Sequence, residues 1–207
     1  QQLIGKIVAS ALLTYAEEKA LLSSEQYGFR SGHSTDMAVA SLMNRIFKKP
    51  RNSHSFLVLL DLSSAFFCCP FKLLKNLLKK VVKDSSYLFF EALLDRRKSV
   101  LVQNGYESEE FELPEIGVPQ GEGTSPIFFI VLINGIFEFV KNNNPDIHIQ
   151  GYADDTVIMV SSETEDKALN LVNQAIERAK QYAENCGFII NPDKTEVIKF
   201  GQPTNKE

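Results

Sequence analysis

Three acidic residues carry the chemistry that this sequence offers most plainly. Asp61 closes the apolar run FLVLLDL, and Asp154 and Asp155 stand together in GYADDTVI. Hard divalent cations such as Mg²⁺ prefer carboxylate and phosphate oxygens. Two such ions about 3.5–4 Å apart can activate an attacking hydroxyl and stabilise a leaving pyrophosphate. By itself an Asp-Asp pair in a turn is ordinary solvated turn chemistry, and so is one Asp at a strand end. The three acids mean more only if the fold brings them together.

The elements around them predict that it does. Residues 56–62 are short, almost purely apolar and flanked by turns, the pattern of a strand buried on both faces. Ser125-Pro126 opens a helix running to about Asn142 that is apolar nearly all round. Residues 147–160 read as strand, tight acidic turn, strand. Ser162, with Glu165 three residues later, resembles a capping box for a helix ending near Gly187. A last turn, Asn191-Pro192-Asp193, leads into a strand at 195–200. The order β-α-β-β-α-β predicts an α+β fold of the split βαβ (ferredoxin-like) kind, with helices on one face of an antiparallel sheet. In that arrangement the first strand neighbours the hairpin, so the carboxylates at 61 and 154 meet although they lie far apart in the chain.

The remaining segments frame this unit. Residues 3–20 predict a helix with Leu3, Ile7, Val8, Leu12 and Tyr15 on one face. Gln26 to Thr35 is broken by glycines and reads as a loop. Ser34 or Thr35 could cap a helix over 36–48, with Val39, Leu42, Met43 and Ile46 as its stripe. A helix after Pro70 has leucines inside and lysines outside, and another runs from Asp84 or Ser85 to about Arg97. Asn104-Gly105 predicts a hairpin within Ser99–Leu113, and Gly117 to Gly123 is a glycine-rich loop.

Composition bounds the function. The 207 residues are 44% hydrophobic and 23% charged, which excludes disorder, collagen and a disulfide scaffold. Cys68 and Cys69 are adjacent and Cys186 stands alone; the odd count without a C-x-x-C pair argues against zinc and favours a reducing compartment. The longest apolar stretch, Ile127 to Ile133, is far short of the roughly 20 residues that span a bilayer, so no membrane partner is expected. The net charge of −4 is unlike that of a compact nucleic-acid binder. Basic patches are confined to the lysine stripe over 72–83, whose plainest reading is a solvated helix face, and to Arg96-Arg97-Lys98. The acidic run Glu107 to Glu115 would repel a template. The chain begins without an initiator Met, which suggests a segment of a longer polypeptide.

Five blocks, QYGFRSGHST, LVLLDLSSAFF, GVPQGEGTSPIFFIVLING, GYADDTVI and CGFIINPDKTEVIKF, resemble the ordered blocks of reverse transcriptases, most closely those of non-LTR retrotransposons. The resemblance implies a partial fingers subdomain at 1–50, a palm at 51–201, and a tail at 202–207 leading toward a thumb. It implies an RNA-directed DNA polymerase that uses two Mg²⁺ ions, with Mn²⁺ as a substitute. The expected partners are an RNA template, a DNA primer, dNTPs, and flanking fingers and thumb segments of the same polypeptide. An intracellular setting, nucleus or cytoplasm, follows from the same resemblance. Residue by residue, Asp61, Asp154 and Asp155 match the catalytic metal ligands. Phe66 matches the bulky gate that crowds a ribose 2′-OH, where a core aromatic is the plainer alternative. Arg30 matches the fingers arginine that contacts the triphosphate, where a surface arginine is the alternative. Gln120 and Gly121 match the loop lining the nucleotide pocket, Tyr152 a residue near the primer end, and Lys194 a palm lysine near the pyrophosphate.

The sequence departs from the family pattern at several positions. Phe67 stands where Asp is usual, Cys68-Cys69-Pro70 replaces a polar segment, Glu122 occupies a position that is commonly small, and His33 one that is often Arg. These departures motivate an alternative, a decayed or domesticated palm that binds nucleic acid or a protein partner. A palm that polymerises RNA is a third reading, against which Phe66 argues.

Overall fold

The computed structural model describes residues 2–63, 65–95, 97–118 and 123–200. Two helices lead the chain, α1 (Gln2–Glu18) and α2 (Thr35–Lys48), followed by strand β1 (His54–Leu60). Next come β2 (Leu62–Ser63), a 3₁₀ turn (Ala65–Cys68), α3 (Phe71–Val81) and α4 (Asp84–Leu94). Short strands β3 (Lys98–Ser99), β4 (Val102–Gln103), β5 (Tyr106–Glu107) and β6 (Phe111–Glu112) form the inserted hairpin. The chain ends with α5 (Ser125–Ile133), α6 (Ile136–Lys141), β7 (Ile147–Tyr152), β8 (Asp155–Ser162), α7 (Glu165–Asn185), β9 (Ile189–Ile190) and β10 (Glu196–Phe200).

The main sheet has the order β10-β1-β8-β7, each neighbour antiparallel. This is the split βαβ arrangement expected from the sequence. One face is apolar by alternation: Phe56, Val58 and Leu60 of β1, Ile158 and Val160 of β8, and Ile147 and Ile149 of β7 are all buried. Helices α6 and α7 pack on this face. Helix α7 does so through Ala168, Val172, Ala175, Ala179 and Ala183, buried at helical spacing, and alanine lets the helix approach closely. Helix α5 buries Phe128, Phe129, Ile130, Leu132 and Ile133, in keeping with its lack of a polar side.

Register defines the opposite face. Leu57 pairs with Met159 and Leu59 with Val157, and paired residues point to the same side of a sheet. Among the described residues the helix that lies on that side is α2, which packs against β7 and accepts, at the Ala38 carbonyl, a 2.9 Å hydrogen bond from Gln150 Nε2.

The structure corrects several local expectations. The first strand runs over 54–60, so Asp61 lies just past its end. The long helix from Ser125 breaks at Asn134-Gly135, where Gly135 has ψ −12° and a Cβ would meet the Tyr182 hydroxyl at 2.6 Å. The N-cap of α7 is Thr164, whose side chain accepts from the Lys167 amide, because Ser162 is held in the ladder opposite His54. Ser34, not Thr35, caps α2, and α4 stops at Leu94. The apolar stripes of the first two helices are only partly used: of the first, Leu12 is buried whereas Leu3 and Ile7 are exposed; of the second, Val39 and Met43 are exposed and Leu42 and Ile46 half-buried, and the buried residue is Ala38 instead. The turn at Asn104-Gly105 is as expected, with φ of 52° and 81°, the two left-handed residues of a type I′ hairpin. No helix among the described residues is long and apolar enough to cross a membrane.

Candidate active site

Strand register brings the acids together. Leu60 pairs with Thr156 at the end of the β1–β8 ladder, so one step further Asp61 comes opposite Asp155. Both belong to the uncovered face, and Tyr152, paired with Asp155 across the hairpin, shares it. Asp154 occupies the turn between them with Ala153, which adopts φ +57°. For a residue with a Cβ that conformation costs on the order of 1 kcal/mol, so something must hold it.

The electrostatics agree with this placement. Burial raises the Asp155 carboxyl above the usual carboxylate range, and the neighbouring charges of Asp154 and Asp61 raise it further. Asp61 has a cationic neighbour: Lys194 Nζ lies 3.6 Å from its carboxylate. Backbone pairing creates that contact. Strand β2 pairs with β9 directly after Asp61, and the Asn191 amide donates to the Asp61 carbonyl at 2.9 Å. The turn that follows is braced by the Asp193 amide on Asn191 Oδ1 and the Thr195 hydroxyl on the Asn191 carbonyl. Lys194 is thereby presented largely exposed at the rim of the acidic cluster.

Among the described residues no three acidic, imidazole or thiol groups close into a ready-made metal cage. The donor set nevertheless suits a hard divalent cation: carboxylates gathered on one sheet end, each raising the other's affinity for positive charge.

The other expected site residues are placed as follows. Phe66 lies in the 3₁₀ turn, half-buried, stacked on Phe129 with 5.0 Å between ring centres and edge-on to Phe29 at 6.1 Å. Its carbonyl accepts from the Val118 amide at 2.8 Å, which ties this turn to the start of the glycine-rich loop. Gln120 and Gly121, with Glu122, lie outside the described residues.

Arg30 differs from its expected role. Its guanidinium forms a fork on the Glu17 carboxylate at 2.5 and 2.6 Å and donates to the carbonyls of Ser23 and Gln26. Only 8% of the side chain is exposed. The hydrogen bonds from Arg30 hold the Glu17 carboxyl below the usual carboxylate range. In this conformation Arg30 closes α1 onto the 23–30 loop rather than offering its donors to a ligand.

Two features escaped sequence reasoning. One is Gln26, completely buried, whose side chain holds the turn at Ala153. Its signals were its place at the head of the QYGFRSGHST block and the glycine two positions on. The other is a groove of about 1020 Å³ on the uncovered face, lined in part by Arg45, Lys48, Lys49, His148, Ser161 and Lys167. At roughly 3.4 Å per residue it starts about 14 Å along the strands from the acids. Arg45, Lys48 and Lys49 come from one basic stretch at the end of α2 that also holds Arg51 and was the signal to read, whereas Lys167 comes from α7.

The fold and the site define a class, a polymerase palm of the split βαβ type with acids at the strand ends and helices behind. Residues 2–204 match the family described as Reverse transcriptase (RNA-dependent DNA polymerase), and the chain belongs to that family. It is 24% identical over 98% of its length to the RNA-directed DNA polymerase from mobile element jockey of Drosophila melanogaster. It is 25% identical over 92% of its length to the probable RNA-directed DNA polymerase from transposon BS of the same organism. It spans only 22% and 21% of those relatives. Among solved structures it is similar to telomerase from Candida tropicalis. The apo form truncated from the C-terminal domain matches with a TM-score of 0.67 at 13% identity, over 97% of this chain and 41% of that one. The form in complex with a TWJ fragment of telomeric RNA matches with 0.69 at 16%, over 93% and 33%.

Proposed function

We propose that this chain is the catalytic core of a non-LTR retrotransposon reverse transcriptase, extending a DNA primer with dNTPs on an RNA template. The observation that carries the proposal is the register that puts Asp61 opposite Asp155 on the uncovered face, with Lys194 beside Asp61. Family membership and the names of the mobile-element relatives support it.

Asp61, Asp154 and Asp155 would hold Mg²⁺, or Mn²⁺ in its place, which supplies Lewis-acid stabilisation of phosphate oxygens. The chain's own residues do the rest. The primer 3′-OH gives up its proton to water and its oxygen bonds the α-phosphorus, the bond from that phosphorus to the oxygen bridging to the β-phosphate breaks, and pyrophosphate leaves. Lys194, cationic and at the rim, stabilises charge on the departing pyrophosphate and can give it a proton. Arg30 keeps its bonds to Glu17 and acts by fixing the loop, not by touching the triphosphate. Phe66, braced by Phe129 and the Val118 amide, is the gate against a 2′-OH. Tyr152 flanks the primer end on the same face as Asp155, and the nucleotide-binding roles that the resemblance gives Gln120 and Gly121 belong to the same reading. The basic groove further along that face suits the phosphate backbone of the primer–template, whose binding depends on Lys and Arg. The division into a fingers segment at 1–50 and a palm at 51–201, and an intracellular setting, belong to the same reading.

Primer extension on a poly-rA template with dNTP or rNTP tests it, using the intact polypeptide. Mg²⁺-dependent extension with dNTP and little with rNTP is expected. No extension with either, or equal use of both, would refute the proposal.

A further inference from the structure

The hairpin that carries Asp154 is gripped from outside the sheet. Residues 25–27 run alongside β7: the Gly151 amide donates to the Glu25 carbonyl, and the Tyr27 amide to the Gly151 carbonyl, both at 2.8 Å. This is a parallel bridge between Gln26 and Gly151 at the edge of the sheet. The Gln26 side chain then reaches the turn. Its Oε1 accepts from the Ala153 amide at 3.2 Å and from the Gly28 amide at 2.8 Å, and its Nε2 lies 3.5 Å from the Ala153 carbonyl.

Several observations show that this grip is built rather than incidental. Gln26 is 0% exposed, so a lost partner would leave a buried amide unsatisfied. Ala153 is the left-handed residue of the turn, and both of its backbone polar groups face the same side chain. Gly28 packs so closely on Ala153 that no side chain would fit between them. Beneath the loop, Arg30 holds the Gln26 carbonyl and ties it to Glu17 on α1. A chain of polar contacts thus leads from α1 to the residue preceding Asp154.

We infer that Gln26 is a positioning residue, which fixes the left-handed turn at Ala153 and so sets where the Asp154 carboxylate stands. The inference rests on the polymerase reading for its catalytic consequence but not for the grip itself. Gln26 does not touch substrate; it acts through Ala153. Removing the amide should let the turn relax toward a right-handed conformation and move Asp154 relative to Asp61 and Asp155. Such a change lowers turnover and weakens metal binding more than it weakens nucleotide binding.

Two measurements test this. The first is amide hydrogen exchange on the unaltered chain without metal. The Ala153 amide, although in a hairpin turn, should exchange at least about a hundredfold slower than an open turn amide; exchange at the open rate would overturn the inference. The second is primer extension by the intact polypeptide carrying Gln26→Leu or Gln26→Glu. Gln26→Leu should lower kcat about tenfold or more, leave KM for dNTP within about threefold, and raise the Mg²⁺ midpoint several-fold. Gln26→Glu retains an acceptor for the Ala153 and Gly28 amides and should recover part of the kcat. An unchanged kcat and Mg²⁺ midpoint in Gln26→Leu would overturn the inference even if the unaltered protein polymerises. If the unaltered protein does not extend primers, the polymerase reading fails, and exchange at Ala153 still decides the grip. Should Gln26→Leu not fold, the exchange measurement again decides.

Discussion

Replacing Gly28 by alanine tests whether the loop before α2 sets the position of the catalytic turn. The new Cβ would fall 2.1 Å from the Ala153 nitrogen, 2.7 Å from its Cα and 3.0 Å from the Tyr152 carbonyl carbon. All three are backbone atoms, so no side chain can swing aside. Restoring ordinary contact near 3.4 Å requires the loop and the hairpin to separate by roughly 1 Å. Overpacking of this kind costs about 1–3 kcal/mol. In a domain of this size each kcal/mol lowers Tm by about 2–4 °C, so a fall of roughly 2–12 °C is expected. The catalytic effect is larger, because a misplacement of about 1 Å can reduce rate by about a hundredfold. Thermal melting and single-turnover primer extension read the two effects separately. A variant that loses stability but keeps kcat within about threefold would refute the link between loop and turn. One that loses neither would refute the packing itself.

Other perturbations separate roles that the sequence left open. Arg30→Ala leaves the partly exposed Glu17 carboxylate without its partner, and losing hydrogen bonds to a charged group costs about 1.5–3 kcal/mol; melting should fall, while KM for dNTP in the folded fraction stays near the unaltered value. A large rise in KM with unchanged melting would return Arg30 to the triphosphate. His148 is held neutral under α2, its pKa pushed down to about 4 mainly by burial, with Arg45 and Lys141 adding to the shift while Glu25 and Gln150 oppose it. Because the folded value lies below the unfolded one near 6.5, the unfolded state binds more protons in that window. Stability should therefore fall as pH drops from about 6.5 to about 4, and His148→Gln should flatten the fall in Tm over that range; an unchanged slope would contradict this.

The fold was legible because its signals are local. The apolar run at 56–62, the acidic hairpin and the long helix before Gly187 each carry their own period, and their order alone names the topology. The acids were legible for the same reason: a strand end and a turn tip are positions that sequence can locate. What stayed hidden depends on contacts between distant segments. Nothing near Arg30 announces that Glu17 takes up its fork, and nothing near Gln26 announces Ala153 as its partner. Ser162 carried a sound capping pattern but was claimed by the sheet, so Thr164 took the cap. The stripes of α1 and α2 predicted burial that their packing only partly provides, since α1 lies against α5 and α2 against the single strand β7.

The central claim is that Asp61, Asp154 and Asp155 form one functional centre for nucleotidyl transfer. Asp154→Asn in the intact polypeptide, assayed for Mg²⁺-dependent extension of a primer on poly-rA, tests it most directly. The substitution keeps the shape of the turn and removes one charge. Loss of extension by at least about a thousandfold, with melting unchanged or raised by the relief of repulsion on Asp155, is the predicted result. Extension at the unaltered rate would contradict the account.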